Sequence, residues 1–206
     1  MTRIQLLALL SNGLTAPTYV GGGVILCHTP SVAPLAYLHR IYPVLLPEQI
    51  AQLEVEIGQA PPRDYRAFLT SVGNGASLYN LSLYGFVHGL VRDAADPLGQ
   101  PISLRYGNII ERPHGLHEDA IAIGGMVGWS SRGLLVMEPG GEVLLVHPHD
   151  GSDVAVRWPD LDGMLQDEMA RLSSLHDPQG RLTSTFTAMM HPAGRKWETS
   201  AEPSLH

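Results

Sequence analysis

The chain has 206 residues, 44% of them hydrophobic and 16% charged, with a formal charge of −7. That apolar content supplies a core and excludes disorder over most of the length, and the length suits one domain with extensions. The 22 glycines and 16 prolines imply many turns and short strands rather than a helical bundle.

Charge is unevenly placed. Residues 40–175 carry 17 Asp and Glu against 9 Arg and no Lys, a net of −8. An acidic surface repels phosphate backbones, so no direct nucleic-acid binding is expected, and a basic protein partner is favoured. A single cysteine, Cys27, makes no internal disulfide and suits a reducing compartment, so a cytoplasmic location is expected. No apolar run approaches the roughly 20 residues of a membrane-spanning helix, and no membrane partner is expected.

Along the chain, Met1-Thr2-Arg3 precedes an apolar run broken by Ser11-Asn12-Gly13, which reads as a short amphipathic or buried helix rather than a signal peptide. Gly21-Gly22-Gly23 reads as a turn into a buried strand at Val24-Ile25-Leu26, with Cys27 as an apolar neighbour. Residues 28–43, with three prolines, read as a connector with at most one helical turn. Pro47-Glu48 opens a helix with Ile50, Leu53 and Ile57 on one stripe and Gly58 as its stop. Pro61-Pro62 opens a second, burying Tyr65, Phe68, Leu69 and Val72 and ending at Gly73-Asn74-Gly75.

The period then shortens. Leu81 to Phe86 alternates as a half-buried strand. A polar loop over 88–118 follows, with a strand or turn near Ile102–Tyr106 and a strand or helix near Asn108–Glu111. Ala120–Ile123 and Leu134–Met137 read as strands, and Glu138-Pro139-Gly140-Gly141-Glu142 as a hairpin turn into Val143–Val146. Asp150-Gly151 marks a turn before Val154-Ala155-Val156. Asp160 caps a helix carrying Leu161, Met164, Leu165, Met169, Leu172 and Leu175 on one face. In the tail, Phe186, Met189, Met190 and Trp197 are candidates to dock onto the domain. The expected organisation is an N-terminal extension over 1–39, a domain over 40–175 and a C-terminal extension over 176–206. The fold class is α+β, a largely antiparallel or mixed sheet packed against helices.

Catalytic patterns fail on spacing. Gly128-Trp129-Ser130-Ser131-Arg132-Gly133 places its second glycine one residue too late for a nucleophile elbow. Gly124-Gly125-Met126-Val127-Gly128 has no P-loop lysine, the sole lysine being Lys196 in the tail. Nothing beside Cys27 would lower its thiol pKa. His114 with His117, and His147 with His149, are the metal-ligand candidates. Neither pair has helical metalloprotease spacing, which favours exposed loop or strand-end histidines. Glu138, Glu142, Asp150 and Asp153 are candidates for an acidic, partner-facing surface. No catalytic residue, metal or cofactor is assigned, and the expectation is a non-enzymatic binding protein, with a histidine-dependent metalloenzyme as the competing reading.

Leu46-Pro47-Glu48-Gln49-Ile50, Leu53-Glu54, Ile57-Gly58, Pro62, Asp64-Tyr65-Arg66-Ala67-Phe68-Leu69 and Asn74-Gly75 together resemble the SUKH superfamily, named partly for yeast cell-wall and killer-toxin-resistance proteins. Pro61 stands where members usually have leucine, and Ala76 where they have a second glycine. Leu83-Tyr84-Gly85, Ile121-Ala122-Ile123-Gly124 and residues 141–147 follow the looser strand pattern, so the likeness covers about 40–175. Its signature positions, Pro47, Glu54, Gly58, Pro62, Tyr65, Phe68, Leu69, Asn74 and Gly75, make the fold and name no site. The resemblance implies a single α+β domain and, in bacteria, an immunity protein that neutralises a cognate protein toxin of nuclease or deaminase type. Yeast relatives regulate cell-wall synthesis, which gives the alternative of a regulatory or scaffolding adaptor for a cellular protein.

Overall fold

Among the described residues nine short strands pair each with the next in chain order, giving one antiparallel meander. The strands are β1 (Thr18–Val20), β2 (Gly23–His28), β3 (Tyr37–Ile41), β4 (Ala76–Leu78), β5 (Leu81–Leu83), β6 (Ile121–Met126), β7 (Leu134–Met137), β8 (Val143–His147) and β9 (Asp150–Trp158). The described residues also form four α-helices: α1 (Arg3–Leu10), α2 (Pro47–Ile57), α3 (Arg63–Ser71) and α4 (Leu161–Ser173). The structure, a computed structural model, describes residues 1–11, 16–28, 37–87, 96–126, 133–185, 191–193 and 197. It is an α+β fold, one sheet packed against helices around a shared core.

The helices begin and end where local chemistry requires. In α1, Thr2 and Gln5 satisfy each other's backbone N–H groups in a capping box. α2 starts at Pro47, buries Ile50, Leu53 and Ile57, and stops at Gly58 with φ 76°. α3 buries Tyr65, Phe68 and Leu69, and Glu54 pairs with Arg66 at 2.8 Å between the two helices. Past α3, Gly75 has φ 76°, and a Cβ there would lie 2.5 Å from the Leu83 carbonyl oxygen, so only glycine fits. The Asp160 carboxylate caps α4 by accepting the Gly163 N–H at 2.7 Å.

Several sequence expectations change. Tyr37–Ile41, read as part of a connector, is strand β3, held between β2 and β4. Leu81, Ser82 and Leu83 are all buried, so β5 is covered on both faces rather than half-buried. The turn expected at Asp150-Gly151 lies at 148–149, and Asp150 already pairs with His147 as the first residue of β9. Of the strand or helix expected near Asn108–Glu111, the structure has the helical form, a π-helical turn at Tyr106–Ile110. Described residues from the expected extensions share the core: β1, β2 and most of β3 belong to the sheet, and Leu6, Leu10 and Trp197 are buried in the cluster formed by 40–175. Phe186, Met189, Met190, Lys196 and residues 127–132 of the glycine- and serine-rich loop lie outside the described residues.

Candidate interaction surface

A loop that must leave β5 and return to β6 needs partners for its backbone, and here it makes them with its own side chains. It first returns beside residue 85, with Gly85 N–H donating to the Ile102 carbonyl and Leu104 N–H to the Gly85 carbonyl, both at 2.8 Å. It then makes the π turn, closed by Glu111 N–H to the Tyr106 carbonyl at 2.7 Å. Asn108, buried at its centre, donates from Nδ2 to the carbonyls of Leu104 and Ala122 and accepts the Ala122 N–H at Oδ1, each at 2.8 Å. Its carboxamide therefore stands in for a strand residue alongside β6. Gly107 sits so close that a Cβ would come within 2.8 Å of the Ala122 Cβ. Arg112 ties the descending limb by donating to the carbonyls of Ala120, His117 and Glu118.

With the polar anchor turned inward, the apolar side chains face solvent. Tyr106 is 41% exposed, Ile109 51% and Ile110 65%, and Ile102 is exposed four residues earlier. The neighbouring Glu111 carboxylate raises the pKa of the Tyr106 phenol. An aromatic and two isoleucines exposed on one anchored turn are side chains of the kind that anchor protein interfaces. The legible signal was Ile109-Ile110 in an otherwise polar loop, which by pattern alone reads equally well as a buried strand.

The sequence candidates separate. His147 and His149 have ring centroids 5.7 Å apart, and the His114 Nδ1 lies 3.9 Å from an Asp150 carboxylate oxygen. His117 turns elsewhere, its Nδ1 accepting the Asp119 N–H. Hydrogen bonds from Ser152, chiefly from its hydroxyl, lower the Asp150 pKa, with smaller help from His114 and His147. Glu142 pairs with Arg157 at 3.0 Å, and Asp153 accepts the Trp197 indole N–H at 2.6 Å. Glu138 is half-buried in the hairpin. Glu142, Asp150 and Asp153 thus each have a local partner.

A different cluster is the one whose ligand atoms converge among the described residues. Asp167, Glu168 and His191 bring a carboxylate oxygen, a second carboxylate oxygen and an imidazole nitrogen within 4.8 Å of one another. Such a donor set suits a divalent cation. Here, however, Arg171 fills the cation's place: its Nε lies 3.2 Å from both Glu168 oxygens and its Nη2 2.7 Å from one. Trp158 holds Asp167 through its indole N–H at 2.9 Å. His191 accepts the Ala193 N–H at Nδ1, which puts the neutral ring's proton on Nε2, 3.8 Å from Glu168. The His191 ring thus sits beside the Glu168 carboxylate of α4. The signal of the Glu168–Arg171 pair lay in the sequence, because Glu168 falls on the apolar stripe of α4 with Arg171 three residues on.

Cys27, Tyr79, His39 and His176 make a second polar group, the first and third buried and the other two half-buried. Cys27 and Tyr79 are the two non-glycine residues with positive φ among the described residues, 58° and 54°, a conformation costing of order 1–3 kcal/mol each. The Tyr79 ring lies 4.4 Å from those of both His39 and His176. Burial pushes the His39 pKa down to about 3 and raises the Cys27 thiol, leaving both neutral at pH 7.

No protein-family model matches the chain, and no curated protein matches it.

Proposed function

We propose that this chain is a protein-binding domain of the SUKH kind that acts without catalysis, as an immunity protein covering a toxin, with the Tyr106–Ile110 turn as its contact surface. The observation that carries the reading is the anchored π turn: its backbone is held by Asn108 and Gly107 while Tyr106, Ile109 and Ile110 stand exposed. A rigid apolar anchor loses little entropy on association, so more of its contact energy is available for binding. The net charge of −8 over residues 40–175 supports a basic partner and a salt-dependent association rate. The order of two helices, a run of strands and a closing helix, together with the SUKH-like residues in α2 and α3, supports the family reading.

The test is affinity purification of the tagged chain from its native cells, followed by measured binding of the purified partner to wild-type chain and to Ile109→Asp. A single stoichiometric toxin whose affinity falls about a hundredfold or more in the variant supports the proposal, a loss typical of a hot-spot anchor. A toxin that binds both forms equally removes the turn from the interface. A housekeeping partner moves the reading to a regulatory adaptor.

A further inference from the structure

One histidine from each sequence pair reaches the same carboxylate. The segment that follows the π turn runs beside the start of β9: Asp150 bridges His114 in parallel, and Gly151 donates to the His114 carbonyl at 2.8 Å. On its other side Asp150 pairs with His147 across the turn at 148–149. Asp150 is therefore the middle member of three adjoining segments, with a histidine on each flank. The His114 Nδ1 lies 3.9 Å from Asp150 Oδ1, and both His114 and His147 interact electrostatically with the carboxylate. The Ser152 N–H and hydroxyl both donate to Oδ1, at 3.0 and 2.6 Å, which orients the carboxylate and leaves Oδ2 to coordinate.

We infer that His114, Asp150 and His147 form a binding site for a divalent transition-metal ion of the zinc class, with water completing the coordination. Two imidazoles and a carboxylate are a donor set for such an ion, and three protein ligands plus water are a known open zinc arrangement. Nitrogen and oxygen donors on one tetrahedral zinc stand about 3.3 Å apart. The His114–Asp150 pair therefore needs only a small movement, which the His114 side chain, 78% exposed, makes by rotation. In His147, Nδ1 accepts the His149 N–H at 3.3 Å, so Nε2 is the coordinating nitrogen. Binding shifts the ring proton to Nδ1 and gives up that long, exposed bond, a small loss. The rival group, Asp167 with Glu168 and His191, converges more tightly but holds the Arg171 guanidinium on both Glu168 oxygens. At Asp150 the described partners are Ser152 and the two histidines, and no guanidinium has to leave. A metal there would tie the segment after the π turn to the end of the sheet.

Calorimetric titration of Zn²⁺ into the full chain, freed of metal by chelator and dialysis, is the test, with melting curves to show that each variant is folded. One ion per chain with micromolar affinity is expected. His114→Ala, His147→Ala and Asp150→Asn are each expected to weaken binding about tenfold or more, since even the loss of a group behind a metal ligand costs that much. His117→Ala and His191→Ala are expected to bind as wild type does. Zn²⁺ should raise the melting temperature of wild type and not that of the His114→Ala, His147→Ala double variant. With Cu²⁺ as a paramagnetic probe, electron spin resonance should show two coupled imidazole nitrogens in wild type and one in either histidine variant. No binding at about 1 mM Zn²⁺ would overturn the inference. So would an affinity unchanged in either histidine variant, or one lost in His191→Ala instead.

Discussion

The side chain of Asn74 and the backbone of Phe86 form a closed pair of hydrogen bonds: Oδ1 accepts the Phe86 N–H at 2.6 Å and Nδ2 donates to its carbonyl at 2.8 Å. The carboxamide thereby acts as one more peptide unit, fastening the end of α3 to the chain leaving β5. Gly85 completes the fit, since a Cβ there would lie 2.4 Å from the Asn74 carbonyl oxygen.

Replacing Asn74 by Ala leaves both backbone groups of Phe86 without this partner and is expected to cost about 1–3 kcal/mol. Asn74→Asp keeps the acceptor but turns a carboxylate oxygen toward the Phe86 carbonyl, and should be at least as destabilising. Urea denaturation of the three proteins reads both effects; an aspartate variant as stable as wild type would show that Nδ2 contributes nothing.

Tyr65 makes the matching connection from the middle of α3. Its ring is fully buried, and its hydroxyl lies 2.5 and 2.9 Å from the carbonyl oxygens of Tyr84 and Ile123. Tyr65→Phe preserves packing and removes only the donor, so a loss of about 1–3 kcal/mol is expected. Tyr65→Ala also opens a cavity and should cost about 3–5 kcal/mol. Equal midpoints for wild type and the phenylalanine variant would place those carbonyls with other donors.

Acid should destabilise the fold through His39. Its ordinary pKa of 6.5 falls to about 3 on folding, because burial disfavours the imidazolium and His176 adds to the effect. Below pH 6.5 the unfolded chain therefore binds a proton that the folded chain refuses. Stability is full above that pH and falls as pH drops toward 3, by at most about 1.4 kcal/mol per pH unit. His176 and His191, both lowered chiefly by burial, act with the same sign. His39→Gln can still accept the Tyr79 N–H that His39 accepts at 3.3 Å, and its stability should decline less steeply between pH 6.5 and 5. Parallel pH profiles would clear His39 of the effect.

Glu168, with a fully buried side chain, depends on Arg171. Arg171→Met leaves a buried carboxylate with little compensation and is expected to cost about 3–5 kcal/mol. Adding Glu168→Gln to that variant removes the stranded charge and should recover a substantial part of the loss. Denaturation midpoints of single and double variants decide this, and a double variant no better than the single would show that packing, not charge, dominates.

The helices were legible in the sequence because their determinants are local. Pro47 and Gly58 start and stop α2, Asp160 caps α4, and the apolar residues recur within one or two turns of each other. The hairpin between β7 and β8 was legible for the same reason, since Gly141 supplies the positive φ of the turn. Glu168 and Arg171 also showed a local signal, though nothing local revealed that His191 joins them.

What the tertiary structure decided depends on partners far along the chain. Tyr37–Ile41 becomes a strand because β2 and β4 flank it, and no single-strand pattern outweighed the nearby prolines. The π turn exists because Asn108 finds Ala122, fourteen residues on, and that contact turns Ile109 and Ile110 outward. Asp150 belongs to a strand because His147 and His114 pair with it, against the turn signal of Asp150-Gly151. Sequence period and punctuation determine which segments can be helix, strand or turn. Which apolar residues are core and which are surface depends on long-range pairing, because burial belongs to the assembled neighbours and not to the residue.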